Sequence, residues 1–294
     1  MKIVNILGGM GNQMFQYALA VALRERHHEE TIRIDSSGFK GYTIHNGYEL
    51  KRVFDVDIPE ASFKEQLRIF YPLRNYRMWQ LGKRLLPRRK YMVCESEDMR
   101  FDQTVLHNLD SAYYLGYWQT EKYFSDIRSK ILEVFTFPHL AEKDKNQVML
   151  ESVQSKNSVS VHVRRGDYMK IGNTQGICTL EYYRKALKLI KEKTVPEIFL
   201  VFSDDISWCR DNIALFLGNI PTVYVDWNRG ENSFRDMQLM SHCRHNIIAN
   251  SSFSWWGAWL NNNPNKIVIA PSRWMNGKGW ADIIPDIWIK ISVS

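Results

Sequence analysis

The feature that most constrains the fold is an alternation of short β-branched runs with segments of helical period, clearest in the second half of the chain. Ser158-Val159-Ser160-Val161-His162-Val163 alternates as a strand does, Glu181 to Lys193 has helical periodicity, and Glu197 to Phe202 is a strand running into Ser203-Asp204-Asp205. Thr222 to Val225, Asn246 to Ala249 and Lys266 to Ala270 continue the strands, with helices predicted over Ser233 to Cys243 and Ser254 to Leu260. Strands separated by helices run parallel, and the ligand loops of such a sheet lie beyond the strand C-termini. The first half opens the same way. Lys2 to Leu7 reads as a strand, Gly8-Gly9-Met10-Gly11 breaks it, Asn12 to Arg26 is a helix, and Thr31 to Ile34 is the next strand. Ala61 to Lys90 is helical, basic and aromatic, and Tyr113 to Phe124 is an aromatic segment. The chain of 294 residues has about twice the usual length of a domain, and the polar helical stretch Ala141 to Asn157 marks the expected boundary, giving domains of residues 1–150 and 151–294.

Apolar residues at 45% and charged residues at 24% exclude a disordered chain, a collagen and a coiled coil. The basic surplus, 39 − 32 = +7, suits an anionic ligand or an anionic lipid surface but is too small to demand nucleic acid. Four cysteines without a CxxC pair read as reduced thiols of a cytosolic protein. Ile3 to Leu23 is uncharged, yet Gly8, Gly9, Gly11, Asn12, Gln13 and Gln16 interrupt it, so neither a signal peptide nor a membrane span is expected there. Asn246 to Asn265 is uncharged too, but too rich in Asn and Ser to span. Ten Trp make the chain aromatic enough for sugar stacking.

Four constellations carry candidate chemistry. The Gly8 to Gln13 loop lets backbone approach a ligand, but Met14 replaces the third Gly of a dinucleotide fingerprint; a plain tight turn competes. His162-Val163-Arg164-Arg165-Gly166-Asp167 follows a strand directly, with His162 and Arg164 on one face; one Arg can fork onto a diphosphate while the other pairs with Asp167. Ser203-Asp204-Asp205 can bind a metal or sugar hydroxyls, or simply cap a helix. Asn250-Ser251-Ser252 opens a helix with small donors, an anion cradle, after the helix that carries Asp236. Trp255, Trp256 and Trp259 at helical spacing read more readily as core. Asp55-Val56-Asp57 has DxD spacing without strand-end context, and His242 and His245 lack a third metal ligand. The basic run Lys83 to Lys90 reads as a solvated face or as weak docking on a membrane surface, favoured over RNA.

GGMGNQMFQYA at the N-terminus, Gly116-Tyr117-Trp118-Gln119-Thr120-Glu121-Lys122-Tyr123-Phe124, HVRRGDY, FSDD and NSSFSWWGAWL occur in that order, and together resemble the bacterial α-1,2-fucosyltransferases along the whole chain. The resemblance implies a GT-B-like architecture: two Rossmann-like domains facing across a cleft, with the donor in the C-terminal one and the chain end free to pack back on the first. It implies transfer of L-fucose from GDP-fucose, with inversion and no required metal, to the 2-hydroxyl of a galactose-type acceptor, a β-galactoside oligosaccharide or surface-glycan precursor. In that reading Arg164, with Arg165 beside it, clamps the diphosphate and His162 lines the site. Asp236 reads the guanine edge. Ser251 and Ser252 donate to the diphosphate, and Gly9, Gly11, Asn12 and Gln13 approach the donor from the other domain. Ser203, Asp204 and Asn250 complete the donor set. The base that takes the acceptor proton is left open among Asp167, Glu121, Asp126 and Asp35. The implied location is cytoplasmic, with peripheral contact at the inner face of the bacterial membrane. A non-catalytic guanine-nucleotide or glycan-binding protein of the same fold is the competing reading.

Overall fold

The computed structural model describes the whole chain except Thr43, Pro72, Arg74, Arg88, residues 167–175, residues 278–281 and Ser294. It divides into two compact units, Met1–Pro138 and His139–Ser294.

In the first unit, strands β1 (Lys2–Asn5), β2 (Ile32–Asp35), β3 (Met92–Cys94) and β4 (Ala112–Leu115) form a parallel sheet in the order β2-β1-β4-β3. The Met10–Arg26 helix crosses from β1 to β2; its Ala, Leu and Val residues from Ala18 to Leu23 are all buried. The aromatic segment contains a strand that composition alone does not reveal: in β4, Tyr113 and Tyr114 are fully buried, and Tyr113 stacks on Phe70 with ring centroids 3.7 Å apart.

The second unit has a six-stranded sheet, β5 (Ser158–Val163), β6 (Ile198–Ser203), β7 (Thr222–Val225), β8 (His245–Ile247), β9 (Val268–Pro271) and β10 (Ile289–Ile291). Its order is β10-β9-β8-β5-β6-β7, every pairing parallel. All six residues of β5 are buried, as a central strand covered on both faces requires. From β5 the chain winds outward through β6 and β7, then returns to β8 on the other side of β5, so the strand order reverses between β5 and β8. Such a reversal opens a crevice beyond the strand C-termini.

The units part between Pro138 and His139, earlier in the chain than expected, and the stretch taken as a boundary is the Lys145–Ser155 helix, which packs within the second unit against the Phe234–His242 helix. Near the chain end β10 pairs with β9, and Ile291 and Val293 join the second unit's core. Among the described residues no helix is long and apolar enough to cross a membrane.

Candidate functional site

Four sequence-predicted segments meet at the C-terminal edge of the second sheet. Residues 164–166 leave β5, Asp204 and Asp205 leave β6, and Asn250 to Ser252 follow β8; the Phe234–His242 helix follows β7 with Asp236 in its first turn. The 164–166 loop is held by a carboxylate clasp. Asp204 accepts the backbone N–H of Arg165 at 2.9 Å and of Gly166 at 3.0 Å, and pairs with Arg164 Nε at 3.3 Å. Gly166 is needed for that approach, since a Cβ there would sit 2.8 Å from Asp204 Oδ2. Arg165 lies 3.5 Å from Asp205 and stacks its guanidinium 3.9 Å over the Trp208 ring. The two guanidinium groups are thus fixed in direction before any ligand arrives, which is what bidentate anion recognition asks of Arg.

Asp205 also caps the Ile206–Asn212 helix through Trp208 N–H, and the Ser203 hydroxyl accepts Asp205 N–H at 2.9 Å. Ser203 thus binds the backbone beside it and Asp204 holds the 164–166 loop, a positioning duty for each. The loop-holding carboxylates among the described residues are Asp204 and Asp205; Asp167, expected in that part, lies outside the described residues.

His162 is buried on β5 with its Nδ1 lacking a hydrogen-bond partner, and its ring faces Phe253 at 6.1 Å. Burial, with Arg164 nearby, pushes its pKa down to about 3, so it is neutral at physiological pH. Ser251 precedes the Ser252–Trp259 helix in extended conformation, and its hydroxyl makes no capping bond. The first-turn N–H groups of a helix have no intrahelical acceptor, so this end offers donors to an anion. Asn250 is buried and donates to Trp274 O at 3.0 Å, which makes it part of the scaffold. Trp255, Trp256 and Trp259 are buried against one another, core as read.

Asp236 is half-buried and accepts from Asn228 Nδ2 at 2.8 Å. Asn228 is fixed in turn by a reciprocal amide pair with Asn146, at 3.0 and 2.8 Å. Burial raises the Asp236 pKa to about 7, against the lowering effect of Asn228. Its position after β7 gives the second unit a carboxyl that changes charge near neutrality.

In the first unit Gly8 adopts φ +96°, and a Cβ there would meet Asn12 Nδ2 at 2.9 Å. Gly9 opens the Met10–Arg26 helix beside the ring of His45. Gln13 is fully buried: its Nε2 donates to Gly8 O and Gly47 O at 2.8 Å each, and its Oε1 accepts Glu49 N–H at 2.9 Å. Gln13 thus stitches the loop to residues 47–49. Buried Gly11 lies within the helix, and Asn12 accepts from Gln119 Nε2 at 2.7 Å. Of the expected bases, Asp35 is buried and bound by Tyr113, Ser37 and Gln66, Asp126 pairs with Arg26 on the surface, and Glu121 lies near Arg128. Asp57 of the DxD triplet is tied to Arg24 at 2.8 Å.

Sequence reasoning missed Glu95. It follows β3 and accepts the backbone N–H of Tyr117 and of Trp118 at 2.7 Å each, with a Cβ on Gly116 falling 2.5 Å from its own Cβ. This is the Asp204–Gly166 clasp again: a carboxylate following one strand holds the loop that leaves the strand beside it. Burial raises Glu95 to about 7 despite those donors. Tyr117, 43% exposed, shares its surroundings with Tyr42 and Tyr76, whose rings meet edge-on at 4.8 Å. The three-residue β3 carries too little pattern to announce Glu95.

An α/β unit with this strand order, two oriented guanidiniums and an open helix N-terminus at its reversal is built as a nucleotide-binding unit. The chain belongs to glycosyl transferase family 11, whose model matches residues 1–291, and it is a glycosyltransferase. It is 34% identical to an α-1,2-colitosyltransferase of Escherichia coli over 98% of each chain. It is also 30% identical to the O-antigen biosynthesis glycosyltransferase WbnK of Escherichia coli, over 97% of this chain and 98% of that one. The mouse galactoside α-(1,2)-fucosyltransferase 2 is 26% identical over 87% of this chain and 67% of its own length.

Proposed function

We propose that the protein transfers L-fucose from GDP-β-L-fucose to the 2-hydroxyl of a galactose-type acceptor, with inversion and without a metal. The observation that carries the reading is the Arg164–Arg165 pair, held by Asp204 and Asp205 where the strand order reverses. A departing GDP gains negative charge, and two pre-oriented guanidiniums with the N–H groups opening the Ser252–Trp259 helix stabilise it without paying reorganisation at the moment of reaction. Asp236, when ionised, accepts the N1 and N2 hydrogens of guanine. His162, neutral, lines the diphosphate pocket as a hydrogen-bonding group, not as a base. We assign the acceptor to the first unit's edge, where Tyr117, Tyr42 and Tyr76 offer ring faces and hydroxyls to a sugar. Four unpaired thiols, Cys209 and Cys243 buried among them, fit a reducing cytoplasm.

Arg164→Ala tests the clamp: transfer to lactose falls by about a hundredfold or more, the scale of a lost oxyanion donor. Near-normal turnover refutes it. Product linkage is read by mass and methylation analysis, with GDP-fucose and GDP-colitose compared as donors because the chain resembles transferases of both names. Activity that survives chelation supports the metal-free reading; a requirement for added Mn²⁺ overturns it. Tyr117→Ala raises the acceptor KM and leaves the donor KM unchanged; a change confined to the donor KM would remove Tyr117 from the acceptor side.

A further inference from the structure

The charge of the chain is not spread evenly. Residues 61–92 contain nine Lys and Arg (64, 68, 74, 77, 83, 84, 88, 89, 90) and one acid, Glu65, a net of 9 − 1 = +8. The remaining residues carry 30 bases and 31 acids, a net of −1, so the basic surplus of the whole protein resides in this one segment. Glu65 is itself engaged, closing a capping box with Ser62 and pairing with Arg33 at 3.2 Å. Lys64, Arg68, Arg77 and Arg84 have no ion-pair partner among the described residues.

Apolar side chains stand out among these cations. The Tyr76–Leu85 helix, capped by Asn75, packs inward through Gly82, where a Cβ would meet both methyls of Leu73 at 2.9 Å. Flanking that contact, the helix exposes Met78, Leu81 and Leu85 at 42, 59 and 67%. The spacing i, i+3, i+7 lines them up on one stripe. Phe63 and Leu67, four residues apart on the Phe63–Ile69 helix, are exposed at 40 and 44%. Water is a poor neighbour for so many large side chains in one segment, and a protein partner would have to be strongly acidic to match their flanks. A bilayer with anionic headgroups satisfies both: the apolar stripe enters the acyl boundary while Lys and Arg stay at the phosphates.

We infer that the Tyr76–Leu85 helix and its basic surroundings dock the protein on an anionic membrane surface, the helix lying in the interface plane. This goes beyond the assignment of donor and acceptor and holds whichever sugar is transferred. Tyr76, in the aromatic group next to Tyr117, begins the same helix, so docking brings that group to the height of the headgroups.

The test is flotation of the full chain with vesicles of phosphatidylethanolamine and phosphatidylglycerol, and with phosphatidylcholine alone. The protein floats with the anionic vesicles, is released by about 0.5 M NaCl, where the screening length is a few ångströms, and stays behind with phosphatidylcholine. The L81E/L85E variant loses roughly tenfold or more in partitioning, as does R77E/R84E, while both keep wild-type melting and transfer to a soluble acceptor. Absence of flotation, or equal flotation of L81E/L85E, overturns the inference. So does a wild-type dimer that L81E/L85E converts to monomer, which would make the face a self-contact, or tighter binding to single-stranded RNA than to the vesicles.

Discussion

Removing the Asp204 carboxylate with Asp204→Ala leaves the Arg165 and Gly166 N–H groups without this acceptor and abolishes the Asp204–Arg164 ion pair. The side chains of Arg164 and Asp204 are 28% and 24% exposed, so solvent screens part of each interaction. Two partly exposed bonds to a carboxylate at about 1 kcal/mol each, and an ion pair discounted to about 0.5–1 kcal/mol, sum to roughly 2.5–3 kcal/mol of lost loop order. If GDP binds only the ordered loop, the apparent affinity falls by up to roughly sixty- to 150-fold. Gly166→Ala reaches the same end by another route, forcing the carboxylate away from a Cβ 2.8 Å from its Oδ2. The double variant separates this account from general damage. Once the Asp204 carboxylate is gone, the added methyl meets there only the remaining Cβ, at an ordinary contact distance of 3.8 Å, so Gly166→Ala in the Asp204→Ala background costs less than about threefold further. Isothermal calorimetry with GDP on the four proteins reads the cycle. Strictly additive losses, or an Asp204→Ala affinity within about twofold of wild type, would refute the clasp.

Asp236 links stability and recognition with opposite signs. Its folded pKa is raised to about 7 by burial, so its stabilising contribution is complete below the ordinary carboxylate range and is lost as pH rises through about 7. Thermal melts of the wild type should decline relative to Asp236→Asn between about pH 5 and about pH 8, while GDP affinity of the wild type rises over the same interval and that of the variant stays flat. GDP affinity that ignores pH in the wild type would exclude Asp236 from the guanine site. Gln13→Ala strips three buried partners from backbone groups of Gly8, Gly47 and Glu49 and should cost about 3–5 kcal/mol in urea unfolding. Unchanged stability with weakened GDP binding would restore Gln13 as a ligand contact.

The sequence was most legible where one physical pattern dominates. The buried runs of β5 and β6 and the amphipathic helix between them announced a parallel sheet, and strand ends identified Arg164, Arg165 and Asp204 as neighbours of a site. It was least legible where elements are short. Three-residue β3 and β10 carry little period, and β4 hid inside an aromatic segment because Tyr113 and Tyr114 are as compatible with a binding surface as with a core. The role of a polar side chain was harder still. Gln13, Asn250 and Ser203 look like ligand contacts in a motif, and the folded chain engages each in bonds to its own backbone.

By itself the sequence determined the local register: which runs are strands, which faces are apolar, and which charges follow a strand, since those depend on periodicities of two and 3.6 residues. Only the tertiary structure decided that the order reverses between β5 and β8, that Asp204 and Glu95 each clasp the loop leaving an adjacent strand, and that Asp236 sits in a place dry enough to hold its proton near neutrality. Those outcomes rest on contacts between residues far apart in the chain and on how far packing excludes water, quantities no short window of residues contains.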